Sequence, residues 1–116
     1  MCHVLIIEDE PIVAMILQDL LEHEGATSVA IAVTQREAIA SALARRPAMI
    51  TSDVKLIEGT GPAAVQEIHE KLGYVPVIFI TGTPDECRPC QPPGVLLTKP
   101  MDQRAVAAAF HELVPV

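Results

Sequence analysis

At 116 residues, half of them hydrophobic and a fifth charged, the chain is sized for one domain with a real core and is too apolar to remain disordered. A net charge of −7, one adjacent basic pair (Arg45-Arg46) and three aromatics (Phe79, Phe110, Tyr74) exclude a general nucleic-acid binder, which needs a basic surface or stacking rings. No apolar run is long enough for a membrane span, and Glu8-Asp9-Glu10 halts the opening apolar run before any cleavage pattern, so a cytoplasmic location without membrane contact is expected.

Val4 to Ile7 is a continuous branched apolar run and reads as a buried strand. It runs into Glu8-Asp9-Glu10, after which Pro11 suits the first turn of a helix, where a missing N–H costs nothing. Val13, Ile16, Leu17, Leu20 and Leu21 form the expected buried face of that helix, and Gly25 ends it. Thr27 to Val33 is a weaker second strand. Thr34 and Glu37 then match a capping box, opening a second helix that runs to about Ala44.

Ala48-Met49-Ile50 leads a third short strand that ends in Asp53. Gly59 and Gly61 mark the loop beyond it. Thr60-Gly61-Pro62 opens a third helix, with Ala64, Val65, Ile68 and Leu72 facing inward and Gly73 at its end. Pro76 to Ile80 is the plainest strand and is followed by Thr81-Gly82-Thr83. The segment 84–93 holds four prolines and the pair Cys87 and Cys90, so at most one short helical turn is expected there. Val95 to Leu97 is a fifth strand, ending in Thr98-Lys99-Pro100, and Asp102 caps a last helix over roughly Gln103 to Leu113.

Strand and helix thus alternate five times, the fourth helix short or absent. That pattern predicts an α/β fold, a flavodoxin-like (βα)5 doubly wound parallel sheet of order 2-1-3-4-5, as one domain over residues 1–116. Parallel strands bring their C-terminal ends to one edge, where Glu8, Asp9, Asp53, Thr81 and Lys99 would meet. Three close carboxylates repel one another, and a divalent cation resolves the repulsion. An all-oxygen donor set suits Mg²⁺, with ligands at about 2.0–2.1 Å and several waters retained. A hydroxyl at Thr81 and an ammonium at Lys99 beside such a cation describe a seat for a phosphoryl group, with Asp53 as the nucleophile and an aspartyl phosphate as the product. There is no glycine-rich phosphate cradle, which argues against a nucleotide donor.

Four segments together carry a specific signature: Ile7-Glu8-Asp9-Glu10, Ser52-Asp53, Ile80-Thr81-Gly82 and Lys99-Pro100. The chain resembles the receiver domain of two-component response regulators over nearly its whole length. The resemblance implies a switch rather than an enzyme with an external substrate. It implies phosphoryl transfer to Asp53 from a sensor histidine kinase or a histidine phosphotransfer protein, and output through contacts with a downstream protein. It further implies Mg²⁺ held by Asp9, Asp53 and the backbone carbonyl of Lys55, with Glu8 acting mainly through water, and a cis Lys99-Pro100 bond.

Two features depart from the usual pattern. Leu96 stands where such domains carry the aromatic residue that turns inward as the threonine moves, and the proline-rich segment 84–93 replaces the fourth helix. Some receiver subfamilies have a degenerate fourth helix of this kind, including stand-alone receivers and those of general stress signalling. Alternatives are a receiver-like scaffold that never takes phosphate, a Mg²⁺-dependent phosphohydrolase, for which these short loops leave little pocket, and a thiol sensor built on Cys87 and Cys90.

Overall fold

The computed structural model describes residues 2–82 and 95–114. Its elements are β1 (His3–Ile7), α1 (Pro11–His23), β2 (Ser28–Ala32), α2 (Gln35–Ala44), β3 (Met49–Ser52), α3 (Gly61–Leu72), β4 (Val77–Thr81), β5 (Val95–Thr98) and α4 (Gln103–Leu113). The strands form one parallel sheet in the order β2-β1-β3-β4-β5, as the strand–helix alternation predicts. The expected short or absent helix over 84–93, and the Cys87/Cys90 pair within it, lie outside the described residues.

Alternation along the strands builds two cores, because successive side chains leave a strand on opposite faces. Leu5, Ile7, Ile50, Val77 and Phe79 pack on one face against Ala38 and Ala42 of α2 and Ala64, Val65 and Ile68 of α3. Val4, Ile6, Met49, Ile78 and Ile80 pack on the other, against Ala14, Leu17 and Leu21 of α1 and Val106, Ala109 and Phe110 of α4. Both faces are covered, which is why the inner strands read as unbroken apolar runs rather than alternating ones.

The helix boundaries follow their caps. Thr34 Oγ1 accepts the Glu37 N–H at 3.1 Å, while Glu37 reaches back to the N–H of Val33 at 3.0 Å, one residue before the cap itself. Thr60 Oγ1 accepts the Ala63 N–H at 3.2 Å, and Asp102 Oδ1 accepts the Arg104 N–H at 2.9 Å. Gly73 closes α3 with φ of 83°, a left-handed value that suits glycine.

One expected face needs correction. On α1 the buried residues are Ala14, Leu17 and Leu21, with Val13 and Leu20 packed beside them, whereas Ile16 is 37% exposed. The small Ala14 lets the helix sit close to the sheet. Its contact line therefore runs through positions 14, 17 and 21, and Ile12, Met15 and Ile16 are left on the outer side. Among the described residues, no helix is long and apolar enough to cross a membrane.

Candidate functional site

Glu8, Asp53, Thr81 and Lys99 are held by backbone at the C-terminal ends of strands, with Asp9 and Lys55 in the loops just beyond. The Glu8 N–H donates to Ala32 O of β2 at 2.9 Å, and the Asp53 N–H donates to Ile7 O of β1 at 2.9 Å. The Lys99 N–H donates to Thr81 O of β4 at 2.8 Å. These bonds extend the sheet ladder one residue past the strands, so the side chains project from a frame that the sheet itself fixes.

Carboxylate oxygens of Glu8, Asp9, Glu10 and Asp53 all lie within 4.8 Å of one another. Glu8 and Asp53 are buried, Asp9 is half-buried and Glu10 is exposed. Into this group comes the Lys99 ammonium, with Nζ 3.0 Å from Glu10 Oε1, 3.2 Å from Asp53 Oδ2 and 3.5 Å from Glu8 Oε1. Asp53 is oriented from its other oxygen, since Oδ1 accepts the Val54 N–H at 2.7 Å. The Ser52 hydroxyl donates to Asp53 O at 2.8 Å, fixing the peptide that follows.

Gly61 closes the floor beneath Asp53. A Cβ on residue 61 would stand 1.8 Å from Asp53 O and 2.1 Å from Ser52 Oγ, so α3 can start this close to the strand end only with glycine there. Thr81 is 1% exposed at the end of β4, beside β3. Lys55, two residues beyond Asp53, is exposed and forms an isolated antiparallel bridge with Thr60. The Lys99-Pro100 bond is cis. Leu96, at the position of the usual switch aromatic, lies on β5 opposite Phe79 and is 44% exposed.

The electrostatics follow from four acids sharing one ammonium. Burial, and then the neighbouring Asp53 charge, push Glu8 up to about 7 against the opposing pull of Lys99. Burial works to lower the Lys99 pKa, but the bond to Glu10 and the charges of Glu8 and Asp53 outweigh it, and the ammonium is held more firmly than usual. The cluster fits a divalent cation on its own chemistry. All donors are oxygen, the acids outnumber the ammonium, and one buried acid is driven toward its neutral form by burial and the neighbouring Asp53 charge.

That imbalance has a measurable consequence for stability. The ordinary Glu value is 4.5, and the folded value of about 7 lies above it, so the folded chain keeps a proton that the unfolded chain has released. The Glu8 contribution is full below the lower value and is lost as pH rises through the upper one. Its slope reaches at most about 1.4 kcal/mol per pH unit between about pH 5 and about pH 7. Urea titrations of metal-free protein should show that slope in the parent minus Glu8→Gln difference, and added Mg²⁺ should flatten it. A difference independent of pH would mean that Glu8 is ionised throughout this range.

Glu10 is the site residue that sequence reasoning passed over. It occupies the N-cap position of α1 yet makes no side-chain cap bond, and it turns instead to Lys99. The available signal was its identity: glutamate is not among the favoured N-caps, so its carboxylate is free to act elsewhere.

The protein-family model for the response regulator receiver domain matches residues 4–111. The chain belongs to that family. It is 38% identical over 115 residues to the phyllosphere-induced regulator PhyR of Methylorubrum extorquens, in a match that covers 94% of this chain and 42% of that protein. Among solved structures, the PhyR REC domain of Erythrobacter litoralis superposes with a TM-score of 0.83 at 32% identity, covering 97% of this chain and 88% of the other. The anti-anti-sigma factor PhyR of Bartonella quintana gives a TM-score of 0.79 at 34% identity, covering 97% of this chain and 46% of that one. This receiver spans less than half the length of the curated relatives it matches.

Proposed function

We propose that this receiver, as one domain over residues 1–116, is a phosphoacceptor switch of two-component signalling in the cytoplasm. Asp53 takes a phosphoryl group from the phosphohistidine of a sensor histidine kinase or a histidine phosphotransfer protein. The observation that carries this reading is the Asp53 carboxylate, pinned by the Val54 N–H and lying 3.2 Å from Lys99 Nζ inside the acidic cluster.

A carboxylate oxygen of Asp53 attacks phosphorus, the P–N bond to the imidazole breaks, and its electron pair returns to the ring nitrogen. Asp53 enters the reaction already oriented, because its backbone belongs to the sheet ladder and Oδ1 is tied down. The Lys99 ammonium pairs with charge that builds on a phosphoryl oxygen, and the Thr81 hydroxyl donates to another. Asp9 and Asp53, with Glu8 through water and the Lys55 carbonyl, would hold Mg²⁺, which supplies neutralising charge for the carboxylates and the phosphoryl oxygens. Phosphorylation then changes what the domain binds, so the activity is signalling and not turnover of an external substrate.

The output partner is a protein. Likeness to an anti-anti-sigma factor favours an anti-sigma-type partner over a DNA site, and a net charge of −7 argues the same way. The deciding experiment is intact mass after incubation with Mg²⁺ and acetyl phosphate. One added phosphoryl group is expected in the parent and none in Asp53→Asn or without Mg²⁺. A parent that binds Mg²⁺ but gains no mass would favour the scaffold reading.

A further inference from the structure

The loop between Asp53 and α3 is fastened from outside the site by the first residue of α2. The Gln35 N–H donates to Glu58 O at 3.0 Å. Its side-chain oxygen Oε1 accepts the Thr60 N–H at 3.1 Å. Gly59, between those two contacts, has φ of 78°, and a Cβ there would stand 2.2 Å from Gln35 Oε1 and 2.6 Å from Gln35 Cβ. The glutamine therefore lies in the space that glycine leaves, half-buried and bonded on both sides of it.

The contact leads directly to the acceptor. Thr60 caps α3 and is bridged to Lys55. Gly61 follows Thr60, donates its N–H to Val54 O at 2.8 Å and packs on the Asp53 carbonyl. From the Gln35 oxygen to the Asp53 peptide the path passes through Thr60 and Gly61 alone, and every link on it is a hydrogen bond, a covalent bond or a contact that a Cβ would fill.

We infer that Gln35 is a positioning residue for phosphoryl transfer: its side-chain oxygen, through Thr60 and Gly61, holds the Asp53 peptide and the Lys55 backbone in the geometry that the acceptor site needs. Gln35 touches no reacting atom, and its side chain joins α2 to this loop through Thr60. The inference rests on the phosphoacceptor reading of Asp53.

Three variants test it. Gln35→Leu keeps the size of the side chain and removes the acceptor. Gln35→Glu keeps an acceptor at the same reach. Gln35→Ala removes the acceptor without overpacking and replaces leucine should that variant fail to fold. Two readouts are taken on the full chain: the rate of mass gain from acetyl phosphate with Mg²⁺, and amide exchange at Gly61 without either reagent.

Loss of the acceptor should slow phosphorylation about tenfold, short of the roughly 100-fold that a misplacement of about 1 Å can cost. It should also speed exchange at Gly61, and glutamate should restore both. A Leu or Ala variant that phosphorylates at the parent's rate overturns the inference and leaves Asp53 as acceptor intact. If the parent gains no phosphate, the acceptor reading fails by itself and the Gly61 amide decides the rest. Unchanged exchange in Leu or Ala then overturns the anchoring, and faster exchange rescued by Glu upholds it.

Discussion

In a Lys99→Met protein, phosphoryl transfer from acetyl phosphate should fall about 100-fold, the cost typical of removing one preorganised donor from a charge-stabilising site. Methionine keeps most of the side-chain stem, so the loss falls on the ammonium. That group now faces Glu8, Glu10 and Asp53 at distances between 3.0 and 3.5 Å. Its removal leaves the acids without their shared counter-charge and frees the oxygens it occupied. Mg²⁺ affinity, measured by calorimetry, should therefore rise while the transfer rate drops. That opposition separates loss of a phosphoryl contact from general damage to the site, which would weaken both. A variant as fast as the parent would remove Lys99 from the proposed chemistry.

Gly61→Ala should cost about 3 kcal/mol or more of folding stability, at or beyond the upper end of ordinary overpacking. The direction is informative, because alanine is the better residue inside a helix by about 1 kcal/mol and a purely local view predicts a gain. The added carbon would meet Asp53 O at 1.8 Å, and a backbone oxygen already held by the Ser52 hydroxyl cannot turn aside as the end of a flexible side chain can. Either α3 retreats or the Asp53 peptide twists, and phosphate uptake should suffer in both cases. Urea unfolding and the acetyl phosphate assay measure the two effects. Parent-like stability together with parent-like uptake would show that the helix can withdraw without consequence.

The fold was legible because its strongest signals are long-range only in their outcome. Continuous apolar strands and amphipathic helices of matching length determine the layers, and the handedness of parallel crossovers limits the winding. The candidate edge was legible for the same reason: once the strands are parallel, the strand-end residues Glu8, Asp9, Asp53, Thr81 and Lys99 fall along one edge. What periodicity could not tell was how closely each helix would settle. Ile16 falls within the apolar stripe of α1 yet is 37% exposed, because the approach at Ala14 narrows the contact line. Nor could spacing reveal Glu10 on Lys99, or Gln35 on Thr60, since each joins elements far apart in the chain through one polar atom. Such pairs follow from the finished packing, not from any pattern within the segments that supply them.

The ladder bonds at the strand ends have a consequence for how such a domain can diversify. Thr81 and Lys99 are separated by 17 residues of chain, but β5 pairs with β4 and the Lys99 N–H is bonded to Thr81 O, so their relative placement is set by that pairing rather than by residues 83–94. Changes of length or composition in residues 83–94, between β4 and β5, therefore carry little penalty for the placement of Thr81 and Lys99. A chimera exchanging residues 83–94 for the corresponding stretch of another receiver should keep the Lys99 N–H bond to Thr81 O and the Lys99 contacts with Glu8, Glu10 and Asp53.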